Sequence, residues 1–144
     1  MKKITYTQID NACFKIAEKI RRGATGKFVI AAVSRGGLVP AAIVSHYLGY
    51  KDIRFIRLSS YDDSKKQSAL VDTTTDDIPD ETTTYIIDDI CDSGDTLKYL
   101  RKKYPHANIY TLINKNPQIQ PDYFPISEPM GVWINFPWEV EDRQ

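Results

Sequence analysis

The segment Ile86-Ile-Asp-Asp-Ile-Cys-Asp-Ser-Gly-Asp-Thr96 runs from an apolar strand through a turn into the start of a helix. The β-branched and aromatic residues Thr84–Ile87 predict a buried strand, which ends at the acidic pair Asp88 and Asp89. Apolar side chains recur at helical spacing over Asp95–Tyr104 and predict a helix directly after the turn. A buried strand followed at once by a helix is typical of α/β proteins.

The turn in this segment has the features of a phosphate site. Successive backbone amides of residues 93–96 lead into a helix N-terminus, where the helix dipole and the hydroxyls of Ser93 and Thr96 favour a phosphate dianion. Gly94 lets the backbone approach a ligand closely. Asp92 lies in the same turn and is placed to accept a proton from an attacking nucleophile.

Asp88 and Asp89 predict a metal-assisted site beside that phosphate. Two adjacent carboxylates repel each other without a partner, and magnesium bridging to sugar hydroxyls suits their hard oxygens. Their position at a strand end argues against burial in the core. A plainer interpretation, in which the acids cap a helix and solvate a loop, fits any one of them taken singly. The whole pattern favours a sugar phosphate with Mg²⁺.

Two other acidic-loop sites fit the spacing less well. A calcium loop of the EF-hand type requires a glycine at its sixth position and a glutamate at its twelfth, which no register here provides. A phosphoacceptor receiver domain places its acidic pair after the first strand and a lysine, here Lys115, after a later strand. In this chain the pair ends the third predicted strand.

The rest of the chain alternates helix and strand. Thr7-x-x-Asp10 opens an amphipathic helix that Gly23 closes, and Leu38–Leu48 predicts a second helix that Gly49 follows. Further strands are predicted over Phe28–Val33, Ile53–Leu58, Asn108–Ile113 and Val132–Phe136. The alternation predicts a mainly parallel sheet with helices on both faces and with ligands at the carboxyl ends of the strands.

Two segments stand apart from this alternation. Residues 59–83 are polar and lack any period, which predicts a long mobile loop with a functional role and with room for an edge hairpin. Residues 114–144 are rich in proline and aromatics and predict a hood over the edge of the sheet.

Composition restricts the class of protein. A length of 144 residues suits one domain over 1–144, and 42% hydrophobic with 26% charged residues is ordinary for a globular chain. No apolar run is long enough for a membrane span and no signal peptide is indicated, so we expect a cytoplasmic protein. Cys13 and Cys91 lie in apolar surroundings and predict buried free thiols.

Charge is divided unevenly along the chain. The net charge is zero, yet Lys and Arg outnumber Asp and Glu by 13 to 5 over residues 1–66, and acids outnumber bases by 14 to 6 over residues 67–144. Two solvated faces explain this division by themselves. A cleft in which basic loops contact phosphates and acidic loops contact a metal is the functional interpretation.

The pattern of two acids, two spacers and Asp-Ser-Gly-x-Thr resembles the phosphoribosyl pyrophosphate signature of type I phosphoribosyltransferases. Val33-Ser-Arg-Gly-Gly-Leu-Val-Pro40, Leu58-Ser-Ser-Tyr-Asp62 and Trp133-Ile-x-x-Pro-Trp138 are similar, in order and spacing, to the bacterial xanthine-guanine branch of that family. The resemblance covers almost the whole chain. It implies the type I phosphoribosyltransferase fold, an α/β sheet with a C-terminal hood.

The resemblance also implies which residues bind phosphoribosyl pyrophosphate. One group is a pyrophosphate loop, in which a strained or cis peptide is common. The other is the sugar-phosphate segment, whose first two acids would bind Mg²⁺. In that segment Asp92 would manage the proton near purine N7. The first group consists of Ser34, Arg35, Gly36 and Gly37, and the second of Asp88, Asp89, Asp92, Ser93, Gly94, Asp95 and Thr96.

Three residues are implied for the purine base. Lys115 would donate to the purine O6, Trp133 would stack on the ring, and Ile134 would offer backbone groups to the 2-position. Alone, Lys115 would face solvent and the other two would belong to a core strand. Glu139 replaces the aspartate of the relatives, so the choice among guanine, xanthine and hypoxanthine stays open.

The loop after the second predicted strand is implied to close over the reaction centre and exclude water. It would begin at Ser59, Ser60 and Tyr61. Gln67 occupies the place of the family arginine that reaches pyrophosphate, with Lys65 and Lys66 nearby.

The implied reaction is the displacement of pyrophosphate by N9 of guanine, xanthine or hypoxanthine, which forms a nucleoside monophosphate. The implied partners are phosphoribosyl pyrophosphate, a purine base and a second copy of the chain in a dimer or tetramer, with no nucleic acid. One alternative is a non-catalytic regulator of the same fold that senses phosphoribosyl pyrophosphate and binds nucleic acid, although no helix-turn-helix is apparent. Another is an enzyme acting on adenine, uracil or orotate, against which Lys115 and Trp133 argue.

Overall fold

The computed structural model describes residues 1–61 and 69–140. In chain order, its elements are β1 (Lys2–Lys3), α1 (Tyr6–Gly23), β2 (Val29–Ser34), α2 (Leu38–Leu48), β3 (Ile53–Tyr61), β4 (Ala69–Asp72), β5 (Thr84–Cys91), α3 (Asp95–Lys103), β6 (Asn108–Asn114), β7 (Ile126–Ser127) and β8 (Ile134–Asn135). Six strands form one sheet in the order β4-β3-β2-β5-β6-β7, in which only the β3–β4 pair is antiparallel. The prediction of a mainly parallel α/β fold is confirmed.

Side chains that alternate along β2 place hydrophobic cores on both faces of the sheet. Ile30 and Ala32 pack into the core that contains buried residues of α1 and α2, while Ala31 and Val33 pack into the core that contains Leu97 of α3. Helices therefore cover both faces, as predicted. The same alternation explains why the apolar run of β2 is continuous.

Helices α1 and α2 end where the sequence predicts, but α1 begins at a different residue. Helix α2 spans the predicted residues, and Gly49 follows it with φ 65°, a left-handed conformation that glycine adopts without strain. The predicted cap of α1 at Thr7 is wrong, because the helix is capped two residues earlier, at Thr5. The Thr5 hydroxyl accepts from the Gln8 amide, and the Gln8 side chain accepts from the Thr5 amide, which forms a capping box.

The strands beside the predicted loop are longer than predicted. Strand β3 continues through Ser59 and Ser60 to Tyr61, and it pairs with β4 with Ser60 opposite Leu70. These three residues therefore do not begin a loop, and the edge hairpin is confirmed. Lys65, Lys66 and Gln67 lie outside the described residues.

The C-terminal segment lies along two edges of the molecule. Strand β7 extends the main sheet beside β6, and β8 pairs in parallel with β1 in a separate two-stranded sheet. The sequence did not predict β1 or β7, because each has only two residues and, unlike β8, neither lies in a longer apolar run.

Two expectations from composition agree with the structure. Cys13 and Cys91 are buried free thiols, and burial raises the pKa of Cys13 to about 12. Within residues 1–61 and 69–140, no helix has the length and hydropathy of a membrane span.

Candidate active site

Two loops meet at the carboxyl ends of the neighbouring strands β2 and β5. The peptide bond between Ser34 and Arg35 is cis, and Gly36 follows it against the acidic pair. A Cβ atom on Gly36 would lie 2.4 Å from Asp89 Oδ2, and one on Gly37 would lie 2.3 Å from the carbonyl oxygen of Ile87. Only glycine allows these close approaches, so the Gly-Gly pair brings the predicted pyrophosphate loop onto β5.

The predicted phosphate turn leads into α3 as the sequence indicates. Gly94 caps the helix with φ 87°, and the Ser93 hydroxyl accepts from the Asp95 amide at 3.3 Å. Ser93, Gly94 and Thr96 line a cavity of about 120 Å³, together with Asp88 and Asp92. The side chain of Asp95 is exposed in the first turn of the helix and is not one of the residues that line this cavity.

Asn116, which the sequence interpretation missed, holds the phosphate turn in place. Its side-chain amide donates to the carbonyl oxygens of Asp92 at 3.2 Å and Ser93 at 3.1 Å. The Oδ1 atom of the Asn116 side chain accepts from the backbone amides of Gln118 and Ile119, both at 2.9 Å. Asn116 is only 8% exposed, so this amide links two loops inside the protein. An asparagine before a proline is a turn signal and was the available clue.

The acidic pair lies inside β5 and not beyond its end. Asp88 is opposite Thr111 in the ladder with β6, and pairing continues to Cys91. Both acids are half-buried and neither belongs to a hydrophobic core, so the expectation that they are not buried in the core is confirmed. Burial, and next the charge of Asp89, raise the pKa of Asp88, and burial raises the pKa of Asp89. A pair that is costly to ionise favours the arrival of a cation.

The donor set of the acidic pair fits a magnesium ion that arrives with its substrate. The Asp89 amide donates to Asp88 Oδ1 at 2.8 Å, and the Ile90 amide donates to Asp89 Oδ1 at 2.7 Å, which fixes both side chains. Within the described parts of the chain, no cluster of three or more potential metal-binding side chains occurs. Mg²⁺ commonly binds one or two carboxylates and completes its coordination with substrate oxygens and water.

A larger cavity opens on the Arg35 side of the acidic pair. It has a volume of about 680 Å³ and is lined by Arg35, Gly36 and Asp89 on one side and by Trp138 and Glu139 of the C-terminal segment on the other. A guanidinium at the mouth of such a cavity suits an anionic group. The sequence did not indicate Trp138 as a wall of this cavity.

The three residues predicted to bind a base lie in two places. Lys115 follows β6, and its Nζ lies 3.3 Å from Asp92 Oδ2, with the side chain 5% exposed. Trp133 is 67% exposed and Ile134 is buried, and both belong to the segment that pairs with β1. The Lys2 amide donates to the Trp133 carbonyl oxygen at 2.8 Å, and the Ile4 amide donates to that of Asn135 at 3.0 Å. Because backbone groups alternate along a parallel strand, those of Ile134 face away from β1.

Comparisons with known proteins agree with this geometry. Residues 5–144 match the phosphoribosyl transferase domain. Xanthine-guanine phosphoribosyltransferase of Idiomarina loihiensis is 37% identical over 77% of this chain and 70% of its own. A purine phosphoribosyltransferase from Pyrococcus horikoshii superposes with a TM-score of 0.80 at 32% identity, covering 99% of this chain and 97% of its own. Xanthine-guanine-hypoxanthine phosphoribosyltransferase of Helicobacter pylori gives 0.77 at 25% identity, covering 96% and 93%.

Proposed function

Since this chain belongs to the phosphoribosyl transferase domain family and is a glycosyltransferase, we propose that it transfers a phosphoribosyl group to N9 of a 6-oxopurine. The donor is phosphoribosyl pyrophosphate, and the products are a nucleoside monophosphate and pyrophosphate. The observation that carries this proposal is the meeting of the Arg35–Gly37 loop, the acidic pair and the phosphate turn at the carboxyl ends of β2 and β5.

The phosphoribosyl group would bind between the two loops. Backbone amides of the turn 93–96 and the hydroxyls of Ser93 and Thr96 would hold the 5′-phosphate at the N-terminus of α3. Arg35 and the backbone of Gly36 and Gly37 would hold the pyrophosphate. The residues of these two loops would act by positioning the sugar and by stabilising charge, so no covalent protein intermediate is required.

Asp88 and Asp89 are the proposed residues for Mg²⁺ and the ribose hydroxyls. The ion would neutralise charge on the departing pyrophosphate. Burial and the charge of Asp89 raise the pKa of Asp88. A cation between the two carboxylates would lower it again, because opposite charge favours the ionised form. The hydrogen bonds from the Asp89 and Ile90 amides support this role, because they fix the orientation of both side chains.

The base would bind on the other side of Asp92. Asp92 would manage the proton near purine N7, and Lys115, whose ammonium is a donor only, would favour the O6 carbonyl over the amino group of adenine. The large exposed face of Trp133 would stack on the ring. These features favour 6-oxopurines over adenine, uracil and orotate. The similar proteins include a xanthine-guanine and a xanthine-guanine-hypoxanthine phosphoribosyltransferase, which supports this enzyme over a non-catalytic regulator.

One experiment tests the reaction and its base. The protein is incubated with labelled phosphoribosyl pyrophosphate, Mg²⁺ and, in turn, guanine, xanthine, hypoxanthine, adenine, uracil and orotate, and the nucleotides are separated. We expect product with the 6-oxopurines and a loss of about 10²- to 10⁴-fold in turnover for Asp92→Ala. Asp77→Ala, an exposed aspartate, is the matched control. Retained substrate binding without product from any base would refute the proposed reaction.

A further inference from the structure

A second cavity lies at the opposite end of the sheet from the candidate active site. It has a volume of about 530 Å³ and is located where α1 ends and where β5 and β6 begin. Tyr85 lines it near the start of β5, and Cys91 ends the same strand at the active site. Six residues of extended strand separate these positions by about 20 Å. The cavity is therefore a separate place on the molecule, and its volume is within the range of small-molecule sites.

Two buried tyrosines line this cavity. Tyr85 and Tyr110 are each 4% exposed, and their rings lie 5.6 Å apart. Within residues 1–61 and 69–140, no protein hydrogen bond to either hydroxyl occurs, yet no fully buried side-chain oxygen or nitrogen there lacks a partner. The two hydroxyls must therefore be accessible from the cavity. Hydroxyls that are accessible and make no hydrogen bond to protein are free to bind a ligand in the cavity.

Two cationic side chains line the same cavity. Lys19 and Arg22 are three residues apart on α1, so they share one face of the helix, and both line the cavity. The salt bridges found within the described residues include neither of them; Lys19 lies over the ring of Tyr123, 5.6 Å from its centroid. Two acids lie near these groups: the Glu81 carboxylate accepts from the Thr83 hydroxyl at 3.4 Å, and the charge of Asp122 acts on Tyr110.

The two tyrosine hydroxyls are suited to donate hydrogen bonds. Burial raises the pKa of Tyr85, and burial followed by nearby charges raises the pKa of Tyr110 to about 12. Both groups therefore keep their protons at neutral pH. With the amide of Asn108 and the hydroxyl of Thr25 also lining the cavity, its polar groups suit a ligand rich in oxygen atoms.

We propose that this cavity is a second binding site, for a small phosphorylated metabolite. Lys19 and Arg22 bind the phosphate at the mouth, and Tyr85 and Tyr110 donate to hydroxyl or carbonyl oxygens of the ligand inside. The class of ligand follows from the pairing of two cations with neutral donors: cations select the anionic group, and the tyrosines select an oxygen-bearing body. The site is independent of the reaction proposed above and uses none of its residues.

Calorimetric titration with ribose 5-phosphate tests this site. Because the active site would also bind this probe, the titrations use the Ser93→Ala/Thr96→Val background, which removes the hydroxyls of the phosphate turn but keeps its backbone amides. Only the binding that the changes at Lys19 and Arg22 weaken is assigned to this cavity. We expect ribose 5-phosphate to bind in that background and ribose without phosphate not to bind. Adding Lys19→Ala and Arg22→Ala should weaken binding by about tenfold or more.

Two matched variants separate the site from general effects of charge or folding. Lys15→Ala removes an exposed cation elsewhere on α1 and should leave the affinity unchanged. Tyr85→Phe removes one hydroxyl while keeping the ring, and we expect several-fold weaker binding with an unchanged melting temperature. The proposal is overturned if no binding survives in the background variant, if ribose binds as tightly as ribose 5-phosphate, or if Lys19→Ala/Arg22→Ala behaves like Lys15→Ala.

Discussion

The ammonium of Lys115 lies 3.3 Å from Asp92 Oδ2, and this places the proposed base-binding cation beside the proposed proton acceptor. The Lys115 side chain is 5% exposed whereas that of Asp92 is 54% exposed. The lysine is therefore held in place by the protein, and the aspartate is the more accessible member of the pair. A base that accepts from Lys115 also comes within reach of Asp92.

Lys115→Met should weaken the binding of the base and spare that of phosphoribosyl pyrophosphate. A hydrogen bond from a charged donor contributes about 1.5–3 kcal/mol, which corresponds to an increase of about tenfold to hundredfold in KM for the 6-oxopurine. Steady-state kinetics with each substrate varied in turn measures both constants. Lys98→Met, an exposed lysine of α3, serves as the control. Equal increases in the two KM values would contradict the assignment.

Gly36→Ala should abolish turnover while the protein stays folded. The added methyl would lie 2.4 Å from Asp89 Oδ2 and must displace a side chain that is proposed to hold the metal and the ribose. Gly26→Ala is the matched control, because its methyl meets nothing within 4 Å. Activity assays and circular dichroism on both variants check the prediction, and a Gly36→Ala protein with normal turnover would refute the placement of the loop.

Asp88→Asn should make the protein more stable and inactive. Burial and the charge of Asp89 raise the pKa of Asp88 above its unfolded value of about 3.9, so ionisation costs stability in the folded state. The cost is absent below pH 3.9 and fully present above the folded pKa. The variant should therefore gain about 1–3 kcal/mol at pH 7 and nothing in strong acid.

Urea unfolding of wild type and Asp88→Asn between pH 3 and pH 8 measures this difference, with Asp77→Asn as an exposed control. Mg²⁺ with phosphoribosyl pyrophosphate should raise the melting temperature of the wild type more than that of the variant. A variant less stable than wild type at pH 7 would show that Asp88 is stabilised by its surroundings.

Asp72→Asn should loosen the edge hairpin. Asp72 ends β4, where it accepts from Tyr99 and Lys103 of α3 and from the amide of Thr74. Burial acts to raise the pKa of Asp72, but the hydrogen bonds from Lys103, Thr74 and Tyr99 outweigh it and lower the pKa overall. We expect a loss of about 1–3 kcal/mol at pH 7.

The pH dependence of that loss has a defined sign. Because the folded pKa of Asp72 is depressed, its contribution is complete above the unfolded value of about 3.9 and disappears as the pH falls through the folded pKa. The unfolding free energies of wild type and Asp72→Asn should therefore converge in acid. Curves that stay parallel down to pH 2 would mean that packing, and not the charge, accounts for the loss.

Trp133→Ala should change the binding of the base, whereas Trp138→Ala should change the stability of the protein. Trp133 is 67% exposed, so its removal should cost little stability but raise KM for the base, since stacking contributes about 1–3 kcal/mol per base. Trp138 stacks on Phe136 at a centroid distance of 4.7 Å, so its loss should lower the melting temperature. A Trp133→Ala protein with an unchanged KM would remove the stacking role.

Sequence patterns predict those parts of the fold in which local chemistry agrees with packing. Helix α2 has the predicted ends because Gly49 stops it, and the turn around Gly94 leads into α3 as predicted because glycine suits its left-handed backbone. The β-branched and aromatic run ended the predicted strand at Ile87, before the acidic pair. Pairing with β6 carries β5 through both acids to Cys91, and no local pattern of residues 84–91 reveals that pairing.

The contacts between distant parts of the chain were not predictable. Asn116 bonds to carbonyl oxygens that are 23 and 24 residues earlier, and the partner of Lys115 became known only from the fold. The signature motif identifies residues one by one. It does not indicate which buried amide keeps them at fixed distances.

Lys115 and Asn116 are consecutive residues that serve opposite ends of the proposed ligand. One extends toward Asp92 and the base, and the other fastens the turn that would bind the 5′-phosphate. Because the two residues are joined by one peptide unit, they limit the distance between the base and the 5′-phosphate of the proposed ligand. A nucleotide analogue lengthened by one methylene between sugar and phosphate would have to give up one contact or the other, whatever the position of the hood.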